Sequence, residues 1–304
     1  MSPPSAGLLP AGVETPADLR DRLAELRYLA DDGLAVATFL ALRLARPLFL
    51  EGEPGVGKTE VAKSLAILLD APLLRLQCYE GIDSTEALYD WDFPRQLLHL
   101  RATERRDADA EGAVAEVYGE DFLLARPLLA ALRTTPSVLL IDEVDRADDE
   151  FEAFLLEVLS DWSVTIPEIG TVTAEQPPVV VITSNRTREV HDALKRRCYY
   201  HWLDHPDLER EVAIVRASVP DAAARLVDQV ARLTQALRAA DLSPPPGEAE
   251  PLDWTEALVA LGATTLAAEL ATQTLGAVLK YREDQERARS LDIGILVQRA
   301  VAGA

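Results

Sequence analysis

The sequence predicts an α/β fold, a parallel sheet layered between helices and followed by a small all-helical domain. Three observations predict it. Five short apolar runs, 47–50, 73–76, 137–141, 178–183 and 199–203, read as strands, and near-continuous apolar character marks strands of a buried parallel sheet. Segments with apolar residues at helical spacing lie between several of them, as in Val61, Leu65, Leu68 and Leu69. Beyond Asp204-His205-Pro206 the pattern changes to helices only. The expected division is a loose segment over 1–16, an α/β domain over 17–205 and a helical domain over 206–304.

Taken in order, residues 1–16 are rich in Pro, Gly and Ala, and 18–45 carries Leu19, Leu23, Leu26 and Leu29 at helical spacing, so two helices should precede the first strand. Gln77 closes the second strand, where its amide could reach Glu143. The stretch 78–119 holds Tyr79, Tyr89, Trp91 and Phe93 and then a charged run, 101–111. Such aromatic density suits a satellite core under a long loop and a partner surface equally. A helix over 149–161 leads into two β-type runs, 164–167 and 171–173, which read as a hairpin within 162–177 with Pro167 on its edge. Four helical segments are expected after 206, at 208–217, 222–240, 254–261 and 263–289, with a Pro-rich acidic loop over 243–251.

The most specific motif follows the first strand. Gly52-Glu53-Pro54-Gly55-Val56-Gly57-Lys58-Thr59 fits G-x-x-x-x-G-K-[ST], and Glu60 opens the helix behind it. The glycines let the backbone close around phosphate oxygens without Cβ clashes, so that N–H groups can point inward. The helix N-terminus adds partial positive charge. Lys58 would reach the β- and γ-phosphates, and the Thr59 hydroxyl would ligate Mg²⁺. The motif therefore predicts a nucleoside-triphosphate site over residues 52–60. The strand 137–141 ends in Asp142-Glu143, an acid pair that completes such a site. Asp142 would hold Mg²⁺ through water, since this hard cation takes few protein carboxylates. Glu143 would polarise an attacking water as general base. The strand 178–183 ends in Ser184-Asn185, whose amide could hold that water, and which is equally suited to capping the next turn. Lys195-Arg196-Arg197 places three cations before the last strand; an arginine given to a neighbour's γ-phosphate accelerates hydrolysis by about a thousandfold or more.

These four pieces, in this order and spacing, resemble the AAA+ branch of the P-loop NTPases over 17–304. The strings 75–81 (RLQCYEG), 150–157 (EFEAFLLE) and 183–189 (TSNRTRE) look like the CoxD-like branch of its MoxR family. The resemblance implies a three-layer αβα core with a helical lid, Lys58 and Thr59 as Walker A residues, Asp142 and Glu143 as Walker B, and Asn185 as first sensor. It implies Arg197 as the arginine finger, with Arg196 as the alternative. It also implies a homo-oligomeric ring, a hexamer, using ATP and Mg²⁺, and a presensor hairpin at 162–177. The client would be a metalloenzyme such as a molybdenum hydroxylase of the carbon monoxide dehydrogenase kind, with a von Willebrand A-domain partner. One departure stands out: 261–266 (LGATTL) has no arginine where the family carries its second sensor, so either Lys280 or Arg282 would substitute or the lid would sense nucleotide differently.

Composition narrows the partners. With 30 Lys and Arg against 51 Asp and Glu, the net charge is −21, which disfavours a duplex-tracking motor, since that needs a basic stripe. Cys78 and Cys198 suggest neither a disulfide framework nor a zinc site. His99, His191, His201 and His205 lack metal-ligand spacing. The N-terminus lacks the blocks of a signal peptide and no run reaches membrane-span length, so a cytoplasmic protein is expected. Two function classes result: an ATP-hydrolysing remodeller or chaperone of a protein client, and a nucleotide-gated scaffold with little turnover. A nucleic-acid motor is the weaker third.

Overall fold

A computed structural model describes residues 8–104, 116–240, 242, 245–291 and 293–303. Most of the expected loose segment's first half and residues 105–111 of the charged run therefore lie outside the described residues. The chain divides into two compact units: residues 1–19, 32–51 and 59–202, and residues 20–31, 52–58 and 203–304.

The first unit is built on a sheet of β1 (Leu48–Gly52), β2 (Leu73–Gln77), β5 (Val138–Asp142), β8 (Val179–Ser184) and β9 (Tyr199–Leu203), in the order β2-β5-β8-β1-β9. The pairs β1–β8, β5–β8 and β2–β5 are parallel. Every residue of β1, β5 and β8 is buried, whereas the edge strand β2 is mostly half-buried. This is why the three central strands are apolar without alternation. Helix α1 (Pro16–Glu25) precedes α2 (Asp32–Arg43), and α3 (Lys58–Leu68) follows β1. The start of α1 is more ordered than a loose segment. Asp18 accepts the backbone N–H groups of Glu14 and Thr15, and its own N–H donates to Thr15 Oγ1, a reciprocal cap ahead of Pro16.

Two small antiparallel pairs decorate this unit. Within 78–125, α4 (Ser84–Leu88) leads to β3 (Tyr89–Trp91), which pairs with β4 (Leu123–Ala125) beside α5 (Phe93–Glu104). Trp91 makes edge contacts with Tyr89 and Tyr118, so part of the aromatic cluster packs on itself. Phe93, Leu97 and Leu98 on α5 are more than half exposed. After α6 (Pro127–Arg133), helix α7 (Asp149–Asp161) starts on Asp148, whose side chain accepts the Phe151 N–H, and ends at Trp162 in the left-handed region. Next comes the hairpin of β6 (Ser163–Ile166) and β7 (Gly170–Thr173). Pro167 lies in its turn, one residue beyond the strand, rather than on its edge. Val164 and Ile166 are buried in the main core, leaving Thr165, Thr171 and Thr173 outward.

The second unit holds the helices of the C-terminal part: α9 (Leu208–Ser218), α10 (Ala224–Arg238), α11 (Ala249–Ala260), α12 (Ala268–Gln273), α13 (Leu275–Val278), α14 (Arg282–Ser290) and α15 (Ile293–Ala302). (The short α8, Asp192–Lys195, belongs to the first unit.) Their core gathers around the fully buried Trp254 with Leu226, Val230, Leu258 and Leu275. The long helix expected over 263–289 is broken into three. Trp254 Nε1 donates to Thr274 Oγ1 at 2.7 Å, and that hydroxyl also turns back onto the Leu270 carbonyl at 2.8 Å. Chain at 263–267 is tied instead by Leu266 N–H to Gln229 Oε1. Tertiary bonds thus override a helical period. The expected loop over 243–251 ends earlier than anticipated, because Pro251 is tolerated in the first turn of α11, where its missing N–H costs no helical bond.

Candidate functional site

The phosphate-type loop runs from the buried end of β1 into α3. Gly55 and Gly57 have φ of +83° and +79°, values an L side chain resists, so these two glycines are required by the backbone. Val56, between them, is buried. Lys58 is buried, and its Nζ donates to the carbonyls of Gly52 and Glu53, each at 2.7 Å. The ammonium is held over its own loop by two bonds of the kind phosphate oxygens could replace. Glu53 and Pro54 are exposed, and Glu53 Oε2 lies 3.0 Å from His205 Nε2. Glu60 pairs with Lys63 at 2.9 Å on the outer face of α3.

At the carboxyl edge of β5 the acids are heavily supplied with donors. Asp142 is buried and accepts the Thr183 hydroxyl at 2.6 Å, the Thr59 hydroxyl at 3.2 Å, and Nε and Nη2 of Arg75 at 3.0 and 2.6 Å. Arg75 sits on β2, where the parallel register sets Gln77 opposite Asp142. Thr183 serves both acids, because its oxygen also accepts the Glu143 N–H at 2.9 Å. Glu143 adopts a left-handed conformation (φ 56°, ψ 51°), unusual for a non-glycine residue. That conformation turns the chain sharply where β5 ends. The Glu143 carboxylate pairs with Arg146 Nη1 at 3.1 Å. Gln77 does not fill the gating role suggested for it: its amide accepts from Arg75 and donates to the Cys78 carbonyl.

Asn185 is half-buried, and its backbone N–H is fixed by the buried carboxylate of Asp145, which also takes the N–H and hydroxyl of Thr187. Glu152, likewise buried, accepts from Arg188 and from the His191 N–H. Asp145 thus ties the loop after β8 to the turn after β5, and Glu152 ties it to α7. Of the three cations near 196, Lys195 is structural. It pairs with the buried Glu51 at 3.1 Å and lies over the rings of Phe49 and Tyr200. Tyr200 donates to the same carboxylate at 2.9 Å, and burial followed by that bond pushes its hydroxyl up to about 12. Arg196 is exposed, as is Arg197, whose Nη1 donates to the Leu156 carbonyl at 3.2 Å. Burial pushes both thiols up to about 12, for Cys78 with Asp142 adding to the effect, so neither is poised as a nucleophile.

The structure therefore joins Thr59 to Asp142 directly and Asp142 to Glu143 through Thr183, secures Asn185 through Asp145, and leaves Arg196 and Arg197 on the surface. Sequence reasoning does not reach Arg75, Asp145, Arg146 or Thr183. Only Asp145-Arg146, one residue beyond the acid pair, offers a local signal. A hydroxyl and a carboxylate 3.2 Å apart are two hard oxygen donors, a set that fits Mg²⁺ better than a softer metal.

A model of the AAA domain (dynein-related subfamily) matches residues 47–198. Among curated proteins, the gas vesicle ATPase GvpN of Haloferax mediterranei is 28% identical over 207 residues, covering 65% of this chain and 58% of that protein. Chaperone protein ClpB 2 of Parasynechococcus marenigrum is 35% identical over 139 residues, which is 45% of this chain and 13% of that protein. The chain thus spans less than two thirds of either relative. Among solved structures, the Thermotoga maritima RuvB Holliday junction branch migration motor aligns with a TM-score of 0.45 at 15% identity, covering 84% of this chain and 68% of that one. With half of its length matched by the family model, the chain belongs to the AAA domain family, in its dynein-related subfamily.

Proposed function

We propose that this protein is a ring-forming, Mg²⁺-dependent ATPase of the MoxR type that remodels or matures a protein client. One observation carries the hydrolytic part: at the carboxyl edge of a parallel sheet Asp142 accepts the hydroxyls of both Thr59, from the G-x-x-x-x-G-K-T motif, and Thr183, and Thr183 in turn accepts the Glu143 N–H. In this reading 17–205 forms the nucleotide-binding domain and 206–304 its lid. Lys58 would exchange the carbonyls of Gly52 and Glu53 for phosphate oxygens. Thr59 directly and Asp142 through water would hold Mg²⁺, whose charge would offset that developing on the phosphoryl oxygens. Glu143 would take the proton of the attacking water once released from Arg146. Asn185 would orient that water, and Arg197, with Arg196 as alternative, would serve the neighbouring subunit's nucleotide. Exposure of both guanidinium groups is compatible with action between subunits.

The chaperone role draws support from the relative named a chaperone and from the CoxD-like strings quoted above. In that role the client would be a metalloenzyme, such as a molybdenum hydroxylase, acted on with a von Willebrand A-domain partner in the cytoplasm. No helix among the described residues is long and apolar enough to cross a membrane. The scaffold alternative has one observation in its favour: Arg75 and Arg146 neutralise Asp142 and Glu143, the two acids hydrolysis needs. One variant tests the nucleotide site that both readings share, and a second separates them. Lys58→Ala should abolish nucleotide binding, while Glu143→Gln should keep binding and lose turnover by about 10²–10⁴-fold. Equal turnover in wild type and Glu143→Gln would remove the hydrolytic assignment and leave the scaffold.

A further inference from the structure

By composition 243–251 is a Pro-rich acidic loop, yet within the second unit its residues Gly247 and Glu248 lie on the phosphate-type loop. Gly247 and Gly55 face each other with no room for side chains. A Cβ on Gly247 would lie 2.9 Å from Gly55 Cα, and one on Gly55 would lie 3.0 Å from Gly247 Cα. Glu248 N–H donates to the Gly55 carbonyl at 2.8 Å. The Glu248 carboxylate reaches Gly57, where a Cβ would meet Oε2 at 2.8 Å. Arg238 pins the segment from behind: Nε donates to the Pro246 carbonyl and Nη2 to the Gly247 carbonyl, each at 2.7 Å. The same guanidinium is paired with the buried Glu211 at 2.6 Å. Two elements far apart in sequence are thus clamped onto the residues whose N–H groups would line a phosphate.

Resting on the nucleotide-binding reading above, we infer that Glu248 is a nucleotide-responsive residue whose carboxylate must lose its charge when phosphates enter the loop beside Gly57, so that binding takes up a proton. Like charges brought this close cannot both stay ionised cheaply. No described residue donates a hydrogen bond to this carboxylate, in contrast to Asp142, Asp145 and Glu211. Burial already pushes it up to about 7, with Arg210 and Arg238 opposing and Glu211 adding to the rise. The charged groups around it are Arg210 and Glu211 on α9, Arg238 on α10, Glu250 on its own helix, and in the loop Lys58 and Glu53, the last paired with His205. Phosphate raises a carboxylate that already titrates near neutrality, so nucleotide affinity should fall as pH rises through 7. Glu53 and His205 are present in both wild type and variant, and the difference between the two isolates Glu248.

The probe is ADP without added metal, titrated calorimetrically at pH 6, 7 and 8 in two buffers of different ionisation enthalpy. Wild type should take up a fraction of a proton at pH 7–8 that Glu248→Gln does not. The variant should bind ADP about equally at pH 6 and several-fold more tightly at pH 8. The sign follows from linkage: a nucleotide that strengthens proton binding about tenfold is itself bound about tenfold more weakly wherever the free carboxylate is ionised. Glu248→Ala, which keeps the backbone bond to Gly55, should also lose the proton uptake. Identical proton uptake and pH profiles in wild type and both variants, with Lys58→Ala failing to bind, would overturn this inference alone. Wild type that binds no ADP at any pH would overturn the nucleotide-binding reading itself.

Discussion

Asp142 at the end of β5 and Glu248 at the start of α11 are both largely withdrawn from water, and their surroundings treat them in opposite ways. Asp142 receives two hydroxyls and a guanidinium. Glu51 and Asp145, also buried, are similarly supplied, by Lys195 and Tyr200 in one case and by Thr187 and two backbone N–H groups in the other. Glu248 has no donor among the described residues, and burial pushes it up to about 7 against the pull of Arg210 and Arg238. Withdrawal from water does not decide a carboxylate's charge by itself; the donors that come with it do. Acids meant to stay charged are built into strand ends and turns that deliver donors. An acid without donors is left sensitive to whatever charge approaches it.

The sharpest way to break that comparison is to strip a supplied acid of its partner. Arg238→Leu would leave the buried Glu211 without its cation, with only the Gln235 amide beside it, and release Pro246 and Gly247. Removing one member of a buried pair costs about 3–5 kcal/mol, so hydrogen exchange of α10 and α11 should speed up by about a hundredfold or more. Unchanged protection would mean that Glu211 finds another donor or protonates at little cost. Tyr200→Phe tests a milder case. Glu51 keeps Lys195 but loses one hydroxyl, and the expected cost is about 1 kcal/mol, read as a shift in the denaturant midpoint. A neutral result would show that the lysine alone suffices.

The smallest effect concerns function more than stability. Arg75 is half exposed, so its pair with Asp142 is screened and contributes about 1 kcal/mol or less. It nevertheless competes with any cation for the same carboxylate. Arg75→Gln should lower the Mg²⁺ concentration needed for half-maximal binding of a fluorescent ATP analogue by a few-fold. A higher requirement would instead make Arg75 a positioning residue that holds Asp142 ready.

Much of the first unit is legible in the chain itself. The five sheet strands, the helix 149–161 and the hairpin after it follow from apolar runs and turn residues that are contiguous in sequence, and the observed bounds differ mostly by a residue or two. The helical unit is less legible. A 3.6-residue period continues through 263–289, but Trp254 draws on Thr274 and Gln229 holds Leu266, so the chain bends where local pattern would have kept it straight. The final helix, Ile293–Ala302, goes unforeseen for a related reason. Its Ile293, Val297 and Ala300 gain meaning only as the remaining wall of a core centred elsewhere.

What the chain alone determined is therefore the identity of the groups and their local frames: a glycine loop closed by Lys58-Thr59, an apolar strand delivering Asp142-Glu143, another delivering Ser184-Asn185. These are short-range facts, fixed by backbone sterics and by the burial of contiguous apolar residues. Tertiary structure alone decided the partners. Arg75 reaches Asp142 across 67 residues, Thr59 reaches it across 83, and Gly247 comes to rest on Gly55 from the far end of the chain. No local pattern encodes such meetings, because a side chain's charge and partners depend on which surfaces the whole core brings together. Loop closure over such distances adds only a slowly growing entropic cost, so packing, not sequence proximity, selects them.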